Sequence, residues 1–352
     1  MKKMDKIGID QLYLEITQQP ELADTLIHHE FPRIRNIVES IENKFDYILI
    51  AARGSSDNAA RYAQYLFGSN NRFQVALATP SLFTLYSTPP SLKNALIISI
   101  SQSGMSPDIV EIIKNAKTQK CTSICITNNA DSPLASESDF TIPIHAGEEK
   151  AIAATKSYTN SLIALAMLSA AFMGKDESSD ELMQIPGFMK TTIDSAKSSL
   201  DLIQRYRYIE NCAVLGRGLN YATAFEIALK VKELTGINAN PYSSADFRHG
   251  PIATVYKGFP VIVIAPYGKV FSDMQQMFLD IKALQAETIT ITSDDKIISE
   301  SNLGFKIPAE IPETLSPIVS VIPGQFFGRQ LAIERGLNPD EPEGLRKVTE
   351  TF

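Results

Sequence analysis

The 352 residues are more than one hydrophobic core usually organises, so about two domains are expected. With 44% hydrophobic and 21% charged residues the composition is that of an ordinary globular chain, and no apolar run approaches the ~20 residues a membrane span needs. A net charge of −7 with no basic block argues against nucleic acid as a partner, because phosphate contacts dominate that kind of binding.

From the N-terminus, Met1 to Gln19 alternates charged and apolar residues and has no continuous apolar core of the signal-peptide type. Residues 1–29 read as a helical arm, and the expected compartment is the cytoplasm. Cys121, Cys125 and Cys212 are too few for a disulfide framework. Cys121 and Cys125 fall in CTSICIT, a strand-like run, without a histidine or second cysteine pair to complete a metal site. All three read as buried thiols, and neither metal nor organic cofactor is expected.

The chain then repeats itself. YILIAARGSS (47–56) has a counterpart in CAVLGRGLN (212–220), with Gly54 and Gly218 separated by 164 positions (218 − 54). LIISISQSG (96–104) parallels PVIVIAPYG (260–268), and Gly104 to Gly268 is again 164 (268 − 104). SICITNN (123–129) resembles TITITSD (288–294), and DFTIPI (139–144) echoes GFKIPA (304–309), both at 165 (291 − 126 and 304 − 139). Four segments in one order, at one offset within a residue, indicate a duplication.

Within each copy, short apolar runs bounded by Gly, Ser or Asn suggest parallel strands buried on both faces. Helical stretches alternate with them: Asp57–Phe67, Pro107–Lys117 and Thr155–Met173, then Tyr221–Thr235, Ser272–Gln285 and Ser320–Arg335. The expected fold is α/β, with two tandem doubly wound parallel sheets. The boundaries read as a first domain over 30–175, a linker helix over 176–199, a second domain over 200–338 and a tail over 339–352.

Two turns and one helix carry chemistry. LIISIS runs into Gln102-Ser103-Gly104, and Ser106-Pro107 suits a helix start. Ser101, Ser103 and Ser106 would surround a helix N-terminus, an anion cradle that needs no cation; an ordinary serine-capped turn fits the same residues. The matching turn in the second copy, APYGKVFS, lacks the serines. In ARGSSDNAARYAQYLF, Gly54 permits a tight corner and Ser55 and Ser56 offer hydroxyls, while Arg53 suits either a salt bridge or a ligand. In EIALKVKE, Glu226, Lys230 and Glu233 lie at i, i+4 and i+7 on one helix face, apart from the apolar stripe Ile227, Val231 and Leu234. A solvated Glu–Lys ladder has the same spacing. His249, in the loop SSADFRHGP, is the histidine best placed for acid–base work at neutral pH; His28, His29 and His145 read as structural.

Taken together, SISQSG, ATKSYT, LGRG with ALKVKE, DFRHGP and GLRKVTET resemble the sugar-isomerase (SIS) family over nearly the whole chain. The resemblance is to the isomerase half of glucosamine-6-phosphate synthases and, more closely, to SIS-type glucosamine-6-phosphate deaminases. It implies two flavodoxin-like SIS domains and a phosphate bound by Ser101, Gln102, Ser103 and Ser106, with Gly54, Ser55 and Ser56 near the sugar. Ile152, Ala153 and Ala154 would line the sugar by backbone. Glu233 would move a proton between C1 and C2, and His249 would assist ring opening from a neighbouring subunit of a homodimer. Lys230 and Glu226 would polarise the substrate, and Lys347 would meet its carbonyl carbon.

Arg53 stands where the synthases often have cysteine, and Ala154 where serine is frequent. Met1-Lys2-Lys3 leads almost directly into the sugar domains, so the expectation is ammonia release without glutamine. Two other readings stay open: an isomerase or deglycase acting on another phosphosugar, including a fructosamine adduct, and a non-catalytic sugar-phosphate regulator.

Overall fold

The computed structural model describes residues 9–41, 44–345 and 347. The first sheet contains β1 (Tyr47–Ala52), β2 (Val75–Leu77), β3 (Ala95–Ile100), β4 (Thr122–Thr127) and β5 (Phe140–Pro143), all parallel, in the order 2-1-3-4-5. The second contains β6 (Asn211–Gly216), β7 (Asn238–Ser243), β8 (Pro260–Ala265), β9 (Glu287–Thr292) and β10 (Leu303–Lys306). These are also parallel, and their order is 7-6-8-9-10, the first sheet's order repeated. The duplication read from the sequence is therefore a duplication of topology. It reaches the backbone: Gly54 and Gly218, at the ends of β1 and β6, share a φ of 57°. Only glycine adopts that conformation cheaply.

The six helices expected from the sequence are present as Ser55–Asn71, Pro107–Thr118, Lys156–Met173, Asn220–Thr235, Phe271–Ala283 and Ser316–Glu334. Two strands were not anticipated. β2 is three residues long at a sheet edge, and β7 (NANPYS) carries Pro241 and is mostly half-exposed. Neither has the apolar run by which a buried parallel strand is recognised, and an edge position is where proline is tolerated.

Residues on each strand alternate between two cores. Ile48, Ile50 and Ala52 face a large cluster continuous through both domains, while Leu49 and Ala51 face a smaller one under the Pro107–Thr118 helix. A matching small cluster lies under Phe271–Ala283. The large cluster also takes in the Lys156–Met173 helix, buried from Lys156 to Ala170, and the Gln11–Ile41 helix, which runs past residue 29. Between residues 176 and 199 lie two helices, Asp176–Met183 and Ile185–Lys197.

The helix carrying Glu226, Lys230 and Glu233 is held by close approach to Ser316–Glu334. A Cβ placed on Gly324 would lie 2.3 Å from Ile227 Cγ1, and one on Gly328 would lie 3.2 Å from Leu234 Cδ1. Glycines four residues apart thus let two helix backbones pack more tightly than alanine would allow. The cysteines are buried free thiols, and burial pushes Cys125 and Cys212 up to about 12.

Candidate active site

A cleft of about 440 Å³ lies at the carboxyl ends of β1 and β3, where the 2-1-3-4-5 order reverses direction. Crevices at such switch points are where open α/β sheets bind ligands. The register carries both strands to the same level, Ala52 opposite Ile100, so the turns beginning at Arg53 and Ser101 face each other. Three helices begin at the cleft, at Ser55, Pro107 and Lys156, and their first residues or caps line it. Their N–H groups and positive dipole ends favour an anion there.

The serine turn is built to donate. Ser101 Oγ accepts from the Gly104 amide at 3.1 Å, and Ser103 Oγ accepts from the Met105 amide at 3.3 Å. Each hydroxyl accepts one bond from the loop and donates none among the described residues, which leaves its proton for a ligand. Ser106 occupies the N-cap position of the Pro107–Thr118 helix, yet its side chain makes no capping bond and lines the cleft instead. Gln102 completes the turn, and Ser56 stands opposite. Ser55 also lines the cleft, but its hydroxyl is committed, donating to Glu226 Oε1 at 2.9 Å across the two domains.

The solvated-ladder alternative for the Glu226–Lys230–Glu233 face does not hold. The side chains of Glu226 and Lys230 are 0% and 1% exposed, and that of Glu233 24%. Lys230 Nζ lies 3.5 Å from Glu226 and 2.5 Å from Glu233. Burial alone would drain charge from Lys230, but Glu226 and Glu233 outweigh it and hold the ammonium above its ordinary 10.5. Burial raises Glu226, against the pull of Lys230 and of its hydrogen bonds from Asn58 and Ser55. Lys230 and Glu233 line the cleft; Glu226, expected beside the substrate, stands behind Lys230 and orients it and Ser55.

Lys347 reaches the cleft from the tail. Its Nζ donates to Glu149 Oε2 at 3.1 Å and to the Ala151 carbonyl at 2.5 Å. Glu149 was not singled out from the sequence. Buried, it accepts from the Thr155 and Ser157 amides at 2.9 and 3.1 Å and from Ser157 Oγ at 2.7 Å. Burial would raise its pKa, but Lys347 and these bonds carry it below the ordinary 4.5. An acidic residue five positions before ATKS (154 − 149), at the start of a long apolar helix, was the available signal. Ser157, Tyr158 and Ser161, on the cleft side of that helix, were also missed as site residues.

Ile152 and Ala154 line the cleft, whereas Ala153 between them turns into the core. The tail is anchored before it arrives. Asp340 accepts from the Gln11 and Leu12 amides at 3.0 and 2.7 Å, and its carbonyl takes the Ile152 amide at 3.2 Å. Residues 346 and 348–352 of the expected tail lie outside the described residues. His249 is exposed just after the Ser244–Arg248 helix and does not line the cleft of its own chain.

The cleft therefore combines an anion cradle of neutral donors, one half-buried carboxylate, and two ammonium groups each held by a carboxylate. The SIS domain model matches residues 43–171 and again 208–335, and the chain belongs to the SIS-domain family. It is 32% identical over 357 residues to the isomerizing glutamine–fructose-6-phosphate aminotransferase of Thermococcus kodakarensis and 33% over 356 residues to that of Pyrococcus horikoshii. In both cases the alignment takes in 99% of this chain and 59% of the relative, so the chain spans about three fifths of their length.

Among solved structures, the C-terminal domain of the glucosamine–fructose-6-phosphate aminotransferase of Francisella tularensis superposes with a TM-score of 0.86. The match is 26% identical and covers 96% of this chain and 100% of that one. The glucosamine-6-phosphate deaminase of Thermotoga maritima shares the fold at a TM-score of 0.80 and 23% identity, covering 97% and 100% of the two chains. The chain is thus an SIS-domain protein, similar over nearly all of its length to part of those isomerizing aminotransferases.

Proposed function

We propose that this chain deaminates glucosamine 6-phosphate, isomerising it and releasing fructose 6-phosphate and ammonia with water as the only co-substrate. The observation that carries the reading is the convergence of the serine cradle, Glu233, Lys230 and Lys347 on one cleft. A phosphate bound at the Ser101–Ser106 turn would extend its sugar toward the carboxylate of Glu233.

The chemistry asks for these groups. Ring opening exposes an aldehyde at C1 beside the amine-bearing C2. Glu233 takes the C2 proton and returns it to C1, a one-face transfer suited to a single carboxylate. Negative charge growing on the C1 oxygen is stabilised by an ammonium in a water-poor site, a role for Lys230 or Lys347. The product of the transfer is an imine at C2, which water splits into the ketone and ammonia. His249 would serve ring opening from the other subunit of a homodimer, since its own cleft does not include it.

A regulator that only bound sugar phosphates would gain nothing from burying a Glu–Lys–Glu array and would bear its desolvation cost. The discriminating experiment is a panel of 6-phosphosugars assayed for ammonia or amine release without glutamine: glucosamine, mannosamine, galactosamine and fructosamine adducts of amino acids. The proposal expects glucosamine 6-phosphate to give the highest kcat/KM. Preference for a fructosamine adduct would replace it with a deglycase, and tight binding without turnover would replace it with a regulator.

A further inference from the structure

Arg53 is a cation lining the cleft that takes no part in the proton transfer proposed for Glu233. Its Nε donates to Asp108 Oδ2 at 2.7 Å, and no other hydrogen bond is made by its guanidinium among the described residues. Its side chain is 48% exposed, against 1% for that of Asp108. Asp108 sits in the first turn of the Pro107–Thr118 helix, the helix whose cap is Ser106. Arg53 is thus moored at the N-terminus that forms the anion cradle and lines the cleft, with its two terminal nitrogens in no hydrogen bond among the described residues.

The second copy contains the same pair and uses it differently. Arg217 and Asp273 correspond to Arg53 and Asp108 at offsets of 164 and 165 (217 − 53 and 273 − 108), the offsets of the duplication. There Asp273 is saturated: Arg217 lies 3.6 Å away, Arg248 donates at 2.8 Å, and the Ser244 hydroxyl bonds the other oxygen. Arg217 shares Ser244 at 3.4 Å. That cluster ties β6, the Ser244–Arg248 helix and Phe271–Ala283 together. In the first copy Asp108 has Arg53 alone, its Oδ1 buried without a partner. The first copy's pair lacks those extra ties where the cleft opens, and the serines absent from the second copy stand beside it.

We propose that Arg53 is a phosphate-binding residue of the cleft, with Asp108 as the mooring that presents its terminal nitrogens to the phosphate held by Ser101, Ser103 and Ser106. Two parallel N–H donors match two phosphate oxygens. The pairing also offsets the negative charge of Asp108, which would otherwise repel an anion at that helix end. This rests on the reading of the cleft as a sugar-phosphate site.

The test separates contact from neutralisation. Binding of glucosamine 6-phosphate, fructose 6-phosphate, inorganic phosphate and unphosphorylated glucosamine is measured by calorimetry on wild type, Arg53→Gln, Arg53→Lys and the double variant Arg53→Gln/Asp108→Asn. Thermal unfolding checks that each is folded. Arg53→Gln is expected to weaken both sugar phosphates and inorganic phosphate about 10–100-fold, the range of a charge-assisted pair, while leaving glucosamine unchanged. Arg53→Lys should recover part of the loss, and the double variant should stay weak. Recovery of wild-type affinity in the double variant would mean that Arg53 only neutralises Asp108, and sugar-phosphate affinity within twofold of wild type in Arg53→Gln would leave the pair a purely structural inheritance. A wild-type protein that does not prefer the phosphorylated sugars would overturn the sugar-phosphate reading itself, and Arg53's role with it.

Discussion

Glu149 and Lys347, 198 positions apart in the chain, meet at 3.1 Å inside the cleft, and the carboxylate is in turn fixed by three donors from the start of the Lys156–Met173 helix. The tail's one cleft-facing ammonium among the described residues is therefore placed by an anion that belongs to the first domain. Glu149→Gln keeps the shape and removes the charge. We expect it to lower kcat at least tenfold while changing the affinity for fructose 6-phosphate less than threefold. Equal losses in both would make Glu149 a general support of the cleft.

The same pair carries a pH dependence. The folded pKa of Glu149 is depressed, so the stabilisation it supplies is present above the unfolded value of 4.5 and is lost as pH falls through the folded value. Glu15 has the opposite sign. Buried under the loop it braces, it accepts from the Lys150 amide at 2.5 Å and its pKa is raised, chiefly by burial. Its ionisation works against folding, a cost absent below 4.5 that grows as pH rises from 4.5 to the folded pKa and is complete above it. Glu15→Gln should accordingly raise the melting temperature at pH 7 and give no gain at pH 4. A variant less stable than wild type at pH 7 would contradict this sign.

Ser101→Ala and Ser103→Ala remove hydroxyls whose protons are left for ligand. Each should raise KM for a phosphorylated sugar about 10–100-fold, the equivalent of about 1.5–3 kcal/mol, with a smaller effect on kcat. Steady-state kinetics suffice to check it, and an unchanged KM would move the phosphate to another turn.

Gly324→Ala tests how the Glu233 helix is held. The added methyl would meet Ile227 at 2.3 Å, a distance no relaxed packing tolerates, so the Ile227 side chain or the helix that carries it must shift. A loss of about 1–3 kcal/mol in denaturant unfolding is expected, together with reduced turnover. Full stability with normal activity would show that this contact does not set the helix position.

Assembly is tested by mixing lesions. His249→Ala and Glu233→Gln proteins, each inactive alone, are co-expressed and assorted at random. If His249 serves the partner's cleft, heterodimers combine both lesions in one site and leave the other intact, returning up to about a quarter of wild-type activity. Heterodimers confirmed by native mass spectrometry yet inactive would place His249 outside any shared site.

Much of this site was legible because its chemistry sits at short spacing. The serine turn between strand and helix, and three charges on one helix face, need only local geometry. Whether that face was solvated or buried was not legible, since it is covered by the Ser55–Asn71 helix of the other domain, whose Ser55 and Asn58 donate to Glu226 from 171 and 168 positions away. Glu149 escaped for a similar reason: its partners are backbone amides and a lysine that only the folded chain brings near. β2 and β7 were missed as edge strands with little to bury. The Arg53–Asp108 and Arg217–Asp273 pairs were within reach, because the offset that revealed the duplication also aligns them. Aligning strands alone passed over a side-chain pair that bridges strand end to helix.

The central claim is that Glu233 moves a proton from C2 to C1 on one face of a sugar phosphate bound in this cleft. Its most direct test is turnover of glucosamine 6-phosphate in deuterium oxide, with the fructose 6-phosphate analysed at C1 by NMR, for wild type and Glu233→Gln. The hydrogen gained at C1, from substrate or solvent, is expected to enter one prochiral position only. Glu233→Gln is expected to lose ~10²–10⁴-fold in kcat while remaining folded and able to bind. Deuterium spread equally over both C1 positions, or a Glu233→Gln protein within tenfold of wild type, would contradict it.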